Sequence, residues 1–254
     1  MTVHAERFTG RVEEYERYRL RYSLAVLTLL RERCGLRERD VVADVGAGTG
    51  MLSELFLENG NAVVAVEPNA AMRVVCERLR EKYPRLTVVD ASAEVTSLGD
   101  ASVDFVTAGR AFHWFDPALA LPEFRRVLRS RGWLVLVANG RSVGDSEQAL
   151  EYERILAEED VDQKDVASRY KMHDVAAALF AEGSLIQEQL HGEQRLTLEE
   201  FLGQTQSYSS VPLPGDAKYE GMQRALREHF ARWQREGVLT IRTTCLLTCG
   251  ILGA

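Results

Sequence analysis

Between positions 41 and 139 the apolar residues follow two alternating rhythms. Short apolar runs at Val41–Val45, Ala62–Val66, Leu86–Val89, Val103–Thr107 and Trp133–Val137 read as strands. Between them lie stretches with helical spacing. Met51–Glu58 puts Leu52, Leu55 and Leu57 on its apolar side, Asn69–Lys82 opens on an asparagine suited to the N-cap, and Pro117–Ser130 opens on a proline suited to the first turn. Strands alternating with helices predict right-handed βαβ units and a parallel sheet covered on both faces, an α/β fold.

After position 140 the rhythm changes. Asp145–Phe180 reads as mainly helical, Leu185–Leu190 as a strand and Leu198–Gln206 as a short helix. Pro212-Leu213-Pro214-Gly215 marks a turn. Asp216–Arg235 predicts a long helix with Met222, Leu226, Phe230 and Trp233 on one stripe, stopped by Gly237, and Val238–Leu247 a final strand. The two late strands bring the sheet to seven. Residues 1–140 thus form a core with an N-terminal helical segment. Residues 141–254 form a helical cap inserted after the fifth strand, plus C-terminal strands that complete the sheet. At the other end Arg11–Arg31 reads as one helix carrying Tyr15, Tyr18, Arg19 and Tyr22 on a single face.

Charge and composition narrow the function classes. The formal net charge of −7 over 254 residues argues against a nucleic-acid partner, whose footprint is basic. Nine acidic and two basic residues in 145–165 read as a solvated helix face. No secretory leader pattern opens the chain and no apolar run approaches the roughly 18 residues that span a bilayer, so the expected location is the cytoplasm, with no membrane span. The four cysteines lack CxxC spacing, which predicts free buried thiols and no metal site. Cys245 and Cys249 should face the same side of their strand.

The strongest local signal is Val41-Val-Ala-Asp44-Val-Gly46-Ala47-Gly48-Thr-Gly50, a strand running into a glycine-rich turn that opens a helix. Such a turn lets a ligand approach the backbone closely. A dinucleotide motif reads G-x-G-x-x-G, whereas here the third glycine comes one position early. Asp44 would repel a pyrophosphate and suits a ligand with a cationic amino group and no phosphate, as S-adenosylmethionine is. No Walker lysine follows the turn. Glu67, in Val66-Glu67-Pro68-Asn69, ends the second strand where a carboxylate can accept both ribose hydroxyls, and Met72 stands one helical turn later, placed to pack on adenine. Asp90-Ala-Ser92-Ala93-Glu94 follows the third strand, where an adenine edge would lie. Gly109-Arg110-Ala111-Phe112-His113-Trp114-Phe115 follows the fourth and should border the reacting centre.

The combination D-x-G-x-G-x-G, V-E-P-N, A-F-H-W-F and L-R-S-R-G-W-L resembles the class I S-adenosylmethionine-dependent methyltransferases. Within them it is similar to the type 11 group that includes the ubiquinone-biosynthesis and trans-aconitate enzymes. The resemblance covers residues 40–139, with a further likeness in Phe8–Arg19. It implies a Rossmann-like fold and a methyl transfer to a small-molecule acceptor. In that pattern Asp44, Gly46, Ala47 and Gly48 would line the methionine moiety. Glu67 would hold the ribose, and Pro68, Asn69 and Met72 would flank ribose or adenine. Ser92 and Ala93 would contact adenine, while Arg110 and Ala111 would offer backbone to the methionine amine. Tyr15 and Arg19 would close the site on the methionine carboxylate. His113, Trp114 and Tyr18 would face the acceptor, His113 as general base or orienter. The sequence departs from the pattern at Leu20, where proline is frequent, at Ser92, where aspartate is, and at Arg110, where glutamine is. A non-catalytic S-adenosylmethionine sensor or assembly partner on the same domain and an NAD(P)-dependent oxidoreductase are the alternatives. Asp44 argues against the second.

Overall fold

The computed structural model describes residues 16–142, 144, 146–158, 179–208 and 211–253. Seven strands form one sheet: β1 (Val41–Val45), β2 (Ala62–Val66), β3 (Leu86–Val89), β4 (Val103–Gly109), β5 (Leu128–Arg141), β6 (Ile186–Leu196) and β7 (Leu239–Gly250), in the order β3-β2-β1-β4-β5-β7-β6. The first five are parallel, and β7 runs antiparallel to both of its neighbours. From β1 the chain steps outward to β2 and β3, then returns to β4 on the other side of β1. The two loops that leave β1 and β4 therefore diverge at one point, and that is where ligands of open α/β sheets sit.

Helices cover both faces. On one face α1 (Ala25–Cys34) and α2 (Met51–Glu58) bury Val26, Leu30, Leu52 and Phe56 against Val42, Val63, Phe105, Val135 and Leu247. On the other, α4 (Pro117–Val127) buries Ala120 and Phe124 against Ala43, Val45, Val106 and Leu134; α3 is Ala70–Arg78. Neighbouring residues of β1 thus serve opposite cores, as the pleat requires. A third core lies apart from these two. There α5 (Glu147–Glu158), α6 (Leu198–Gln206) and α7 (Tyr219–Trp233) gather Tyr152, Leu156, Phe201, Met222, Leu226 and Phe230 over Leu196, Leu239 and Ile241. Of these cap helices α5 follows the fifth strand, as expected, whereas α6 and α7 follow the sixth.

Three elements differ from the sequence reading. The expected helix 11–31 is broken: the described chain is helical at 16–18, irregular over 19–23 and helical again in α1. The Asn139 side chain donates to the carbonyls of Leu20 and Arg21 at 3.0 and 3.1 Å, and it takes acceptors that a continuous helix would have used internally. Tyr18, Arg19 and Tyr22 accordingly do not share a helical face. The strand expected at Trp133–Val137 is much longer, because Leu128 already pairs with Val103 and a bulge before Trp133, with Arg131 at φ 67°, absorbs the polar residues between. The helix expected to reach Ser130 stops at Val127 for the same reason. Of the helical stretch expected over 145–180, Glu147–Glu158 is seen, and 159–178 lies outside the described residues. Cys245 and Cys249 do face the same core, and all four cysteines are buried and free.

Candidate functional site

The glycine turn after β1 is shaped by left-handed backbone at Gly46 (φ 68°), Gly48 (φ 59°) and Gly50 (φ 86°). Gly46 and Ala47 donate to the carbonyl of Val66 at the end of β2, at 2.8 and 3.2 Å. A Cβ on Gly46 would stand 2.5 Å from the Cβ of Ala111, so only glycine lets the loops after β1 and β4 touch. At Gly48 nothing lies within 4 Å of where a Cβ would stand, and a ligand can approach that backbone. Gly50 then opens α2 as its N-cap.

Two carboxylates flank this turn. Asp44 is fully buried, and its oxygens accept from Ser53 Oγ on α2 at 2.7 Å and from Thr107 Oγ1 on β4 at 3.1 Å. Burial pushes its carboxyl up to about 6, against the downward pull of those two hydroxyls. Glu67, 7% exposed, accepts from the Gly48 amide through one oxygen and from the Asn69 amide through the other, both at 2.8 Å. Burial raises it too, opposed by those amides. The end of β2 is tied to the loop after β3 by Arg73, which donates to the Glu67 and Pro68 carbonyls and pairs with Asp90 at 2.7 Å. Asn69 caps α3 by accepting from the Met72 amide at 3.0 Å, and Met72 is buried beneath it. Gly46, Ala47, Gly48, Glu67, Pro68, Asn69 and Met72 are therefore brought together.

The remaining residues singled out from the sequence fall in two groups. Ser92 and Ala93 lie in the loop after β3, Ala93 being buried, and Glu94 there accepts from the Asp116 amide at 3.1 Å, joining that loop to the one after β4. In the loop after β4, Arg110 adopts φ 56°, its amide donates to Val137 O at 2.8 Å and its guanidinium donates to Asn139 O at 3.1 Å. Phe112–Trp114 forms a single 3₁₀ turn, with the His113 and Trp114 rings 4.6 Å apart. His113 borders a small cleft of about 30 Å³ with Arg110, Phe112, Leu136, Leu246 and Thr248.

Arg19 and Tyr18 point elsewhere, toward the cap. Arg19 donates to Ser207 O at 3.2 Å and lies over the Tyr208 ring at 4.8 Å. The Tyr18 hydroxyl donates to Glu199 at 2.8 Å, and its ring packs so close to Gly203 that a Cβ there would stand 2.4 Å away. Tyr15 lies outside the described residues. Sequence reasoning missed Ser53 and Thr107, which hold Asp44, and Asn139, which fastens the 19–23 segment to β5. The available signal was one hydroxyl inside each apolar run, Met51–Leu57 and Val103–Ala108.

The donor set fits S-adenosylmethionine. Carboxylates at the ends of adjacent strands suit a cation and a diol, the turn allows close approach at Gly48, and no basic side chain among the contacts described for the turn offers a phosphate a partner. Among the described residues no helix is long and apolar enough to cross a membrane.

Residues 43–136 match the family model described as "Methyltransferase domain". An uncharacterised methyltransferase of Mycobacterium tuberculosis is 42% identical over 134 residues, 53% of this chain and 52% of that protein. Another, of Schizosaccharomyces pombe, is 32% identical over 135 residues, 53% of each chain. The chain spans about half the length of the curated relatives it matches. A solved structure assigned as a type II methyltransferase, from Anaeromyxobacter dehalogenans, is similar with a TM-score of 0.66 and 25% identity, covering 92% of this chain and 98% of that one.

Proposed function

Since residues 43–136 belong to the methyltransferase domain family, we propose that the chain binds S-adenosylmethionine and transfers its methyl group to a small-molecule acceptor. The observation that carries this reading is the pair of buried carboxylates, Asp44 and Glu67, on either side of a turn whose Gly48 backbone is open to approach. Glu67, already oriented by two amides, keeps lone pairs for the ribose hydroxyls. Pro68, Asn69 and Met72, with Ser92 and Ala93 from the next loop, form the adenine side. Asp44 sits beneath the turn and sets a negative potential there for the amine, while the backbone of Arg110 and Ala111 faces it from β4.

S-adenosylmethionine supplies an activated methyl group on a sulfonium, which leaves by in-line displacement. The chain's part is chiefly proximity and orientation, worth about 7–11 kcal/mol in favourable cases. His113, beside the cleft after β4, would take or orient an acceptor proton, and Trp114 would pack on the acceptor. The cap helices exclude water over the carboxyl end of the sheet.

Isothermal titration with S-adenosylmethionine, with NAD as control, tests this directly. Micromolar binding of the first alone is expected, followed by acceptor-dependent release of S-adenosylhomocysteine. Absence of binding by folded protein would remove the reading. Binding without turnover across a broad acceptor screen would instead favour a non-catalytic sensor.

A further inference from the structure

Away from the glycine turn, two thiols meet in the core. Cys34 is the last residue of α1 and Cys249 stands next to the end of β7, and their sulfurs lie 3.5 Å apart in a hydrogen-bonding contact. The fold alone makes this pair, since 215 positions separate the two residues along the chain. The register of β7 sets Cys249 between Val135 of β5 and Ile186 of β6, and all three face the core that α1 covers. α1 stops there because Gly35 turns left-handed at φ 71° and its amide donates back to Leu30 O. Arg33 reaches across to Glu188 on β6 at 3.4 Å and holds the helix end over that edge. The other two cysteines stand apart. Cys245 faces the same core but is set off by four residues, about 13 Å along the strand, and Cys76 packs against Gly50.

The two sulfurs are not equivalent. The hydrogen bond from Cys249 holds the Cys34 thiol below its usual value against the effect of burial, and the neighbouring Arg33 cation adds to it. The same contact, with burial, pushes Cys249 upward, so the shared proton stays on Cys249. Cys34 is 8% exposed at a helix end and Cys249 is 0% exposed, so a small oxidant meets Cys34 first. From their contact distance the sulfurs reach bonding distance, about 2.05 Å, by a shift of about 1.5 Å shared between two side chains. We propose that Cys34 and Cys249 form a modification site at which hydrogen peroxide joins them in an intramolecular disulfide, fastening α1 to β7. The Cys34 thiolate attacks one peroxide oxygen and the O–O bond breaks. The hydroxide that leaves takes the thiol proton as water, and Cys34 becomes a sulfenic acid. The Cys249 sulfur then attacks the Cys34 sulfur, the S–O bond breaks, and the departing hydroxide takes the Cys249 proton as a second water. Two thiols thus give up two electrons to one peroxide. The bond closes a loop that holds β1 to β6 and α2 to α7. Asp44, Thr107, Val135 and Cys249 stand level across β1, β4, β5 and β7, which sets the bond three strand spacings, about 14 Å, from the glycine-turn carboxylate.

The test treats the full chain with hydrogen peroxide in native buffer, stops the reaction with catalase, alkylates remaining thiols in denaturant and digests without reductant. Mass spectrometry should show a peptide joining Cys34 to Cys249, two hydrogens lighter than the separate peptides, with Cys76 and Cys245 alkylated. Dithiothreitol should remove the link. The linked protein should unfold at a Tm higher by at least about 4 °C, because the bond closes a long loop in the unfolded chain. In Cys249→Ala, dimedone should trap a sulfenic acid at Cys34 and no link should form, whereas Cys245→Ala should link as the parent does. Alkylation of both Cys34 and Cys249 after peroxide would overturn the proposal, and so would a link to Cys76 or Cys245 or to a second copy of the chain. A link that forms in urea and not in buffer would overturn it as well, as would a linked protein with no gain in Tm. The parent-protein readout stands whether or not either variant folds.

Discussion

Asp44 shows what a buried charge does at the scale of one residue. Its carboxyl stands at about 6, against an ordinary value of 3.8, because the fold removes it from water faster than Ser53 and Thr107 compensate. Between those two values the unfolded chain has lost this proton and the folded chain still holds it. The stability that this group contributes therefore falls as pH rises through that window and is level above about 6. Glu67 is raised in the same direction. A cationic ligand favours ionised Asp44, so S-adenosylmethionine affinity should drop as pH falls below about 6. In Asp44→Asn the drop should be shallower, Glu67 retaining part of it. Titrations across that range check both, and an unchanged slope in the variant would assign the effect to other groups. The aspartate was legible in the sequence because it stands two residues before the first glycine. Its holders were not, since a serine in a helix and a threonine in a strand carry no spacing of their own. Their role exists only once β1, β4 and α2 have met.

Among the elements, α6 is the one whose ends bear on the site. Thr197 and Glu200 form a reciprocal capping box at its start, and residues Ser207 and Tyr208 past its end meet Arg19. Replacing Thr197 with alanine removes the acceptor for the Glu200 amide and should cost about 1 kcal/mol in urea denaturation. A loss indistinguishable from zero would mean that packing of Phe201 alone fixes the helix. Elements with a clean rhythm were readable at this scale: β1, α2, β2 and β3 occupy the spans expected of them. The elements that moved are those shaped by distant partners. β5 was underestimated because Leu128-Arg129-Ser130 reads as the end of a helix and belongs to a bulged strand beside Val103, and Ala138–Arg141 is recruited by β7. The helix over 11–31 was overestimated because Asn139, more than a hundred residues later, captures two of its carbonyls.

For the molecule as a whole, three cores divide the labour. Two sandwich the sheet and fix the glycine turn, and the third belongs to the cap. Leu226 is fully buried in the third. Leu226→Ala should destabilise the cap by about 2–5 kcal/mol and, in hydrogen exchange, loosen α5, α6 and α7 while the amides of β1 and β4 stay protected. Uniform loss of protection would show that cap and sheet unfold as one unit. The seven-stranded α/β architecture was visible in the sequence, yet the content of the cap was not. Arg141 in β5, Gln194 in β6, Gln204 in α6 and Tyr208 just past α6 converge only in space, so no local pattern announces them.

The placement of β7 between β5 and β6 has a consequence for how the chain is made. As the polypeptide leaves the ribosome, β1 to β5 can pair in their order of synthesis, and β6 then waits with no neighbour. Until residues 239–250 emerge, the outer edge of β5 from Leu134 to Arg141 stays open, as does β6, and both are templates for pairing with another chain. A nascent protein halted before that point carries paired β1 to β5 with an exposed strand edge and cores still lacking Leu239, Ile241, Cys245, Leu247 and Cys249, so it is most open to aggregation between the synthesis of β5 and that of β7.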